Sequence, residues 1–223
     1  MIDKTCEPLT RALAGIEDGM TVLVGGFGDA GVPTRLLGGV AALGLRNLTV
    51  VSNNCGTGEL GVALLFKHGC VSRVLASFPT QVGNHHFRRA YEGGGLDVEI
   101  VPQGTLVERL HAGAAGLGGV VTRTGVGTVL GTGKPVVVVD SETCLLERPI
   151  RGDVALVRAH LADRGGNLRY RRSSRNFNPL MAMAATLTVA EVDEVVGAGE
   201  LDPDDIHTAG VFVDRIVRHG GGA

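Results

Sequence analysis

Short apolar runs alternate with amphipathic stretches along most of the chain. The runs are rich in β-branched residues and stand between glycine or proline turns, whereas the stretches between them place leucine and valine at helical spacing. The predicted strands are 21–24, 48–52, 71–77, 98–101, 154–159, 167–170 and 189–196, with a last apolar run at 211–217. The predicted helices are 9–16, 36–43, 62–66, 86–92 and 181–186. This alternation predicts an α/β fold with an open, mostly parallel sheet and helices on both faces.

The pattern weakens between Ala112 and Gly133, where glycines become dense. Two apolar runs, 135–140 and 143–147, then flank a polar turn at Asp140, Ser141 and Glu142, which predicts a β-hairpin. We therefore expect a small glycine-rich lobe with a hairpin at about 112–150, inserted in one domain that covers residues 1–223.

Composition narrows the classes of function. The 223 residues, 44% hydrophobic and 20% charged, suit one folded domain with a sizeable core. A net charge of -2 gives no general attraction to nucleic acid or to an anionic membrane. The N-terminus lacks a signal-peptide pattern, and no apolar run is long enough for a bilayer, so the cytoplasm is the expected location.

Metal and disulfide sites are not expected. The four cysteines lack CxxC spacing, which argues against a zinc site and a disulfide framework. The adjacent His85 and His86 would form a metal pair only if neighbouring ligands joined them, and adjacent residues on a helix point in different directions. A structural role, or a place at the edge of a substrate site, is favoured for them.

A glycine-rich loop from Val24 to Pro33 lies between a predicted strand and a predicted helix. Open α/β sheets bind ligands at the carboxyl ends of their strands, and glycines let the backbone approach a ligand closely. Residues 26–31 satisfy the dinucleotide pattern GxGxxG, but the second strand ends in Ser52, Asn53 and Asn54 rather than in the acidic residue that binds a ribose. A purely structural tight turn is the alternative.

The whole stretch from Asp18 to Pro33 resembles the first signature of family I CoA-transferases. The resemblance continues through most of the chain, in the segments 52–54, 101–106, 108–109, 124–128, 152–157, 166–168, 175–179, 201–203 and 206–208. It implies the three-layer α/β fold of that family. It also implies a 3-oxoacid CoA-transferase built from A and B halves, of which this chain is the A half.

Within that family, a glutamate in a Ser-Glu-Asn-Gly motif of the B half attacks the thioester and becomes an enzyme-bound CoA thioester. That motif does not occur in this sequence, and Glu59 and Glu108 stand in other contexts, as surface charges commonly do. The resemblance therefore implies a B-subunit partner, in an AB heterodimer or an A2B2 heterotetramer. CoA and succinyl-CoA would be substrates, and no tightly bound cofactor is expected.

The site residues of this half are expected at the ends of adjacent strands. The amides of Asn53, Asn54 and Gln103 can stabilise an oxyanion or position the substrate, and they match family positions near the glutamate. For Asn53 and Asn54 the alternative is that each only caps a turn through its side chain. The expected CoA-binding residues are those of the loop: Gly25, Gly26, Phe27, Gly28, Asp29, Ala30 and Gly31.

The sequence features favour one acceptor acid less clearly than they favour the CoA-transfer reaction. The chain start, the segment around Ser77 to Gln81 and the segment 181–185 resemble family members that use 3-oxoadipate, while Asn54 to Gly56 and Phe177 to Pro179 occur in acetoacetate-using members as well. A non-catalytic α/β ligand-binding or regulatory module is the alternative of another class. The basic cluster of Arg169, Arg171, Arg172 and Arg175 fits a subunit interface or a solvated strand edge better than an anion site.

Overall fold

The computed structural model describes residues 2–220, which form a large parallel sheet, six α-helices and a small antiparallel sheet. The strands are β1 (Thr21–Val24), β2 (Leu48–Ser52), β3 (Val71–Ala76), β4 (Asp97–Ile100), β5 (Val120–Thr122), β6 (Val136–Val139), β7 (Glu142–Glu147), β8 (Gly152–Asp163), β9 (Leu168–Arg169), β10 (Ala185–Val196) and β11 (Arg215–Arg218). The helices are α1 (Leu9–Ala12), α2 (Thr34–Ala42), α3 (Ala63–Lys67), α4 (His85–Glu92), α5 (Gln103–Ala115) and α6 (Asn178–Met183).

The large sheet has the strand order β11-β10-β8-β1-β2-β3-β4, with every neighbouring pair parallel. The short strand β9 adds to β8 in the antiparallel direction. The chain leaves β1 towards β2 on one side and returns later as β8 on the other side. The carboxyl ends of β1 and β8 therefore flank the switch point of the sheet, where open α/β folds bind ligands.

Alternate residues of the central strands point to opposite faces of the sheet. Val22 and Val24 pack in one core cluster with residues of α1 to α4, whereas Leu23 packs in a second cluster with residues of α5 and α6. Both faces are thus covered by helices, which explains why the central strands β1 and β2 carry apolar residues on both of their faces. The predicted fold class is confirmed.

The small sheet has the order β5-β7-β6, with antiparallel pairs. Its hairpin turns at Asp140 and Ser141, both with positive φ, +48° and +67°, as a type I′ turn requires. The expected lobe began at Ala112, but residues 112–115 belong to α5, and the first strand of the lobe starts at Val120.

Helix α5 is absent from the predicted elements because glycines stand at its start and near its end. The glycine near its end has a packing reason: a Cβ on Gly113 would lie 1.9 Å from the carbonyl oxygen of Ile150. The helix therefore needs a glycine there to approach the chain that leaves the lobe. Tertiary packing here outweighs the low helix propensity of glycine.

Two further predicted boundaries were wrong. The helix predicted at 181–186 ends at Met183, because Ala185 already pairs with Gly152 in the parallel ladder of β10 and β8. The helix predicted at 9–16 ends at Ala12, and Gly15 turns the chain with a φ of +87°. Strand pairing therefore ends α6, and a glycine turn follows α1, although the apolar residues continue at helical spacing beyond both helices.

An ion-pair network joins the lobe to the large sheet. Arg109 on α5 donates to Glu99 Oε1 at 2.6 Å and to the carbonyl of Arg148 at 2.8 Å, and it lies 3.7 Å from Glu147 on β7. Lys134 donates to the other oxygen of Glu147 at 2.5 Å. Because Arg109 and Glu147 are both buried, each charge depends on its partners for stability.

Candidate functional site

The glycine loop lies at the carboxyl end of β1, at the switch point of the sheet. The amide of Gly25 donates to the carbonyl of Leu156 at 2.9 Å and so extends the pairing of β1 with β8. Phe27 and Ala30 then exchange backbone hydrogen bonds of 3.0 and 3.1 Å, which close a tight reverse turn. Phe27 is 47% exposed at this turn, unusual for a phenylalanine.

Gly26 has to be glycine for the loop to keep this shape. Its φ is +120°, outside the regions that L side chains adopt, and a Cβ there would lie 2.6 Å from Cγ2 of Val32. An added side chain would therefore collide with the loop itself. Gly26 shapes the loop from within rather than only leaving room for a ligand.

Two asparagines hold the loop from behind. The amide of Asn178 is fully buried, accepts from the backbone N–H of Arg158 at 2.9 Å, and donates to the carbonyl of Gly31 at 3.0 Å. Asn176 donates to the carbonyl of Ala30 at 3.0 Å. No role was predicted for these two residues. Two asparagines that are separated by one residue and followed by a proline could have indicated that this segment holds a backbone loop through side-chain hydrogen bonds.

Asn54 belongs to the turn after β2 and also contacts the glycine loop. Its Oδ1 accepts from the amide of Gly56 at 2.8 Å, and its Nδ2 donates to the carbonyl of Gly28 at 3.3 Å. The side chain is 5% exposed. Asn54 thus caps the turn through its side chain, as the alternative to an active-site role predicted. Its side chain also connects the glycine loop to the end of β2.

Asn53 and Gln103 come together from two strand ends. Asn53 directly follows β2, and Gln103 begins α5 three residues after the end of β4. Nδ2 of Asn53 donates to Oε1 of Gln103 over a long 3.5 Å. The carbonyl of Asn53 accepts from the amide of Phe78, which follows β3. The structure therefore brings Asn53 and Gln103 to one edge, with Asn53 buried and Gln103 exposed.

Two hydroxyls at this edge are buried without a hydrogen-bond partner among residues 2–220. They are Oγ of Ser77, at the end of β3, and Oγ1 of Thr105, in the first turn of α5. Buried polar atoms are nearly always paired in folded proteins. Ser77 and Thr105 are thus two exceptions to this rule in the described part of the chain.

A polar cavity of about 460 Å³ lies on the other side of the glycine loop, between that loop, β8 and the residues Arg171 and Arg172. Asp193 on its wall accepts from Arg158 at 2.7 Å and from His160 at 3.0 Å. Burial raises the pKa of Asp193, but these two donors outweigh it and leave the pKa below its usual value. The basic cluster is split, since Arg169 pairs with Asp205 at 3.1 Å.

The other reactive candidates of this chain are in unreactive settings. Burial raises the pKa of the Cys55 thiol far above its usual value, so the thiolate nucleophile is not formed. Glu108 is exposed on α5, with His111 at 3.4 Å. Glu59 is ion-paired, and hydrogen bonds from Lys67 and then from His86 lower its pKa to about 2.

No helix in the described part of the chain is long and apolar enough to cross a membrane.

Comparisons with known proteins identify the family of this chain. The family model described as coenzyme A transferase matches residues 6–219. The A subunit of the 3-oxoadipate CoA-transferase of Acinetobacter baylyi is 50% identical over 217 residues, which cover 97% of this chain and 95% of that protein. The A subunit of the probable succinyl-CoA:3-ketoacid coenzyme A transferase of Bacillus subtilis is 48% identical over 202 residues, 91% of this chain and 84% of that protein.

A solved structure shows the same fold. The acyl-CoA transferase YdiF of Escherichia coli O157:H7 superposes with a TM-score of 0.87 at 21% identity, over 97% of this chain and 47% of that one. This chain thus spans about half the length of YdiF, and at this identity the likeness concerns the fold alone. Together, the family match over nearly all residues and the relatives at about half identity show that the chain belongs to the coenzyme A transferase family.

Proposed function

We propose that this chain is the A half of a two-subunit CoA-transferase that moves CoA from succinyl-CoA to 3-oxoadipate through a glutamyl-CoA thioester on the partner B subunit. The observation that carries the proposal is the pairing of two uncharged amides, Asn53 and Gln103, at 3.5 Å on the strand edge that also holds the glycine loop. Acyl transfer from a thioester is accelerated by fixed hydrogen-bond donors that face the developing oxyanion, and side-chain amides are among the groups that serve as such donors.

The residues of this chain would bind and polarise the thioester, and the partner would supply the nucleophile. The glutamate carboxylate of the partner attacks the carbonyl of succinyl-CoA, which forms an anhydride and a CoA thiolate. The thiolate then attacks the glutamyl carbonyl of the anhydride, which forms the glutamyl-CoA thioester and releases succinate. Each attack places negative charge on a carbonyl oxygen, and we assign Asn53 and Gln103 to that oxygen. Asn54, whose amide is used inside the turn, positions the glycine loop instead.

The CoA ester would lie along the loop from Gly25 to Gly31. The loop is tied to β2 by Asn54 and to the segment behind it by Asn176 and Asn178, so its backbone is fixed before a ligand arrives. A preorganised loop loses little conformational entropy on binding. The exposed Phe27 offers an apolar contact at the tip of the loop.

The absence of a nucleophile motif from this sequence supports the need for a partner subunit. The sequence has no Ser-Glu-Asn-Gly motif, which in the proposed mechanism carries the nucleophilic glutamate. The relatives are themselves named as A subunits, which fits the same division of labour. We propose an AB unit, either alone or doubled as A2B2.

The acceptor acid is the finer part of the proposal. A relative named for 3-oxoadipate covers 97% of this chain at 50% identity, and one named for a 3-ketoacid covers 91% at 48% identity. The greater coverage, with the sequence features at the chain start and at 181–185, favours 3-oxoadipate. Transfer to acetoacetate is the second candidate, supported by the near-equal identity of the second relative.

The test is a side-by-side assay of the chain co-expressed with a B subunit that carries a Ser-Glu-Asn-Gly segment. We expect CoA transfer from succinyl-CoA to 3-oxoadipate at a kcat/KM at least about tenfold higher than to acetoacetate, which corresponds to about 1.4 kcal/mol of transition-state discrimination. The reverse preference would assign the second acid. Failure of the two chains to co-purify, with no transfer to either acid, would reject the transferase and favour a non-catalytic module.

A further inference from the structure

Three possible metal ligands meet on a surface that the proposed transfer does not use. Nε2 of His86 lies 2.9 Å from Oε1 of Glu59, and Nε2 of His85 lies 3.6 Å from the same oxygen. All three donor atoms lie within 4.8 Å of one another. The two histidines were expected to point in different directions, yet their ring centroids are only 4.2 Å apart.

Two of the three ligands of this cluster, His85 and Glu59, have a neighbour that orients them. Nδ1 of His85 is 3.0 Å from the carbonyl of Gly83, and a proton donated there leaves Nε2 with a free lone pair. Lys67 donates to Oε2 of Glu59 and so leaves Oε1 for the histidines. A backbone carbonyl behind a histidine and a donor behind a carboxylate are the supporting contacts usually found around metal ligands.

The spacing of the donor atoms fits a small transition-metal ion. Zn²⁺ binds nitrogen and carboxylate oxygen at about 2.0–2.2 Å, which in a tetrahedron places the ligands about 3.3 Å apart. The separations of 2.9 and 3.6 Å lie on either side of that value. Two imidazoles and one carboxylate are ligands that Zn²⁺ accepts, and water can complete the site. Hard ions such as Mg²⁺ prefer a set of oxygens.

We propose that Glu59, His85 and His86 form a binding site for Zn²⁺ or a similar divalent transition metal. The metal would join two segments that otherwise meet through few bonds. Glu59 belongs to the segment after β2, and the histidines follow the segment after β3. The amide of Gly58 already donates to the carbonyl of Gly83 at 3.0 Å between them. These segments also carry Asn53 and Phe78, so the ion would stiffen the edge without touching the reacting atoms.

The test is a Zn²⁺ titration of the untagged full-length chain, purified in complex with its B partner and competed against a chromophoric chelator. We expect one more Zn²⁺ equivalent per chain in the wild type than in the double variant His85→Ala/His86→Ala, and at least about tenfold weaker binding in Glu59→Gln. His68→Ala removes an exposed histidine outside the cluster and is the matched control, which should bind as the wild type does.

A spectroscopic measurement separates this site from scattered surface histidines. Co²⁺ bound by two imidazoles and a carboxylate at low coordination number should give visible absorption bands, which the double variant should lose while its circular dichroism stays unchanged. Equal Zn²⁺ stoichiometry in the wild type and the double variant, or Co²⁺ bands that persist in the double variant, would overturn the proposal. Because the readout is metal binding, its failure leaves the transferase assay unaffected.

Discussion

At the scale of single residues, the structure separates two neighbouring asparagines that look alike in the sequence. Asn54 uses both ends of its amide within the turn and the glycine loop. Among residues 2–220, the side chain of Asn53 makes only the long hydrogen bond to Gln103. A side chain that is already committed to the backbone is poorly placed to change partners during a reaction. Asn53 and Gln103 are therefore the better candidates for contact with the thioester.

Replacing Gln103 with alanine should lower kcat without affecting the fold. The side chain is exposed at the start of α5, so the free energy of unfolding should change by less than about 0.5 kcal/mol. Loss of one oxyanion donor lowers kcat by about 10²–10³-fold. Steady-state kinetics with succinyl-CoA and urea unfolding check both expectations. His111→Ala, also exposed on α5, is the control, and a Gln103→Ala enzyme as active as this control would contradict the donor role.

At the scale of secondary-structure elements, the glycine loop depends on the segment that leads into α6. Asn176 in that segment and Asn178, the first residue of α6, bind the carbonyls of Ala30 and Gly31 from behind through their side-chain amides. The loop follows β1, and α6 comes late in the chain, so only the fold brings them together. The shape of the loop is thus a joint property of two distant elements.

Asn178→Ala should destabilise the protein and impair transfer together. The substitution removes a fully buried side chain and leaves the partly buried N–H of Arg158 and carbonyl of Gly31 without this partner, at a cost of about 1–3 kcal/mol. Urea unfolding and CoA-transfer kinetics, measured where the variant is still folded, test this expectation.

The control for that variant is Asn167→Ala. Asn167 holds a turn through Asp163 and Gly210, with bonds of 2.7 Å to each, and none of these partners belongs to the glycine loop. This variant should lose stability but keep the wild-type kcat/KM while folded. Equal kinetic losses in the two variants would mean that Asn178 acts on stability alone.

At the scale of the whole molecule, charge pairs connect the large sheet, α5 and the lobe. Glu99 on β4 is bound by Arg109 at 2.6 Å and by Arg73 at 3.0 Å. Burial raises the pKa of Glu99, but these two arginines outweigh it and hold the pKa below the ordinary value of 4.5. A carboxyl with a lowered pKa stabilises the fold above its unfolded pKa, and this contribution is lost as the pH falls towards the folded pKa.

Glu99→Gln should therefore flatten the acid dependence of stability. We expect the free energy of unfolding of the wild type to fall more steeply than that of the variant between about pH 5 and pH 3. Urea unfolding at a series of pH values measures both slopes. Glu142→Gln, in an exposed pair with Arg123, should follow the wild type because exposed pairs contribute little. Parallel curves for wild type and Glu99→Gln would show that Glu99 is not linked to acid unfolding.

Much of the order of strands and helices could be predicted because the spacing of apolar residues and the turn residues, both local in the sequence, specify it. β1 and β2 were predicted to the residue, and the turn at Asp140 and Ser141 was recognised from its flanking runs. Helix α5 was missed because Gly113 serves a contact with Ile150 that no local pattern contains. The end of α6 was predicted too late for a similar reason, because Ala185 belongs to β10 and pairs with Gly152 of β8.

The sequence by itself determined the order of elements, the glycine loop after β1 and the polar residues after β2 and β4, because period and turn chemistry act over a few neighbouring residues. It also lacks the motif that would carry the nucleophile. Only the tertiary structure decided which of these residues meet. Asn178 lies 147 positions from Gly31, and Glu59 lies 27 positions from His86. Such contacts depend on how the strands are ordered in the sheet, and strand order is not a local property of the chain.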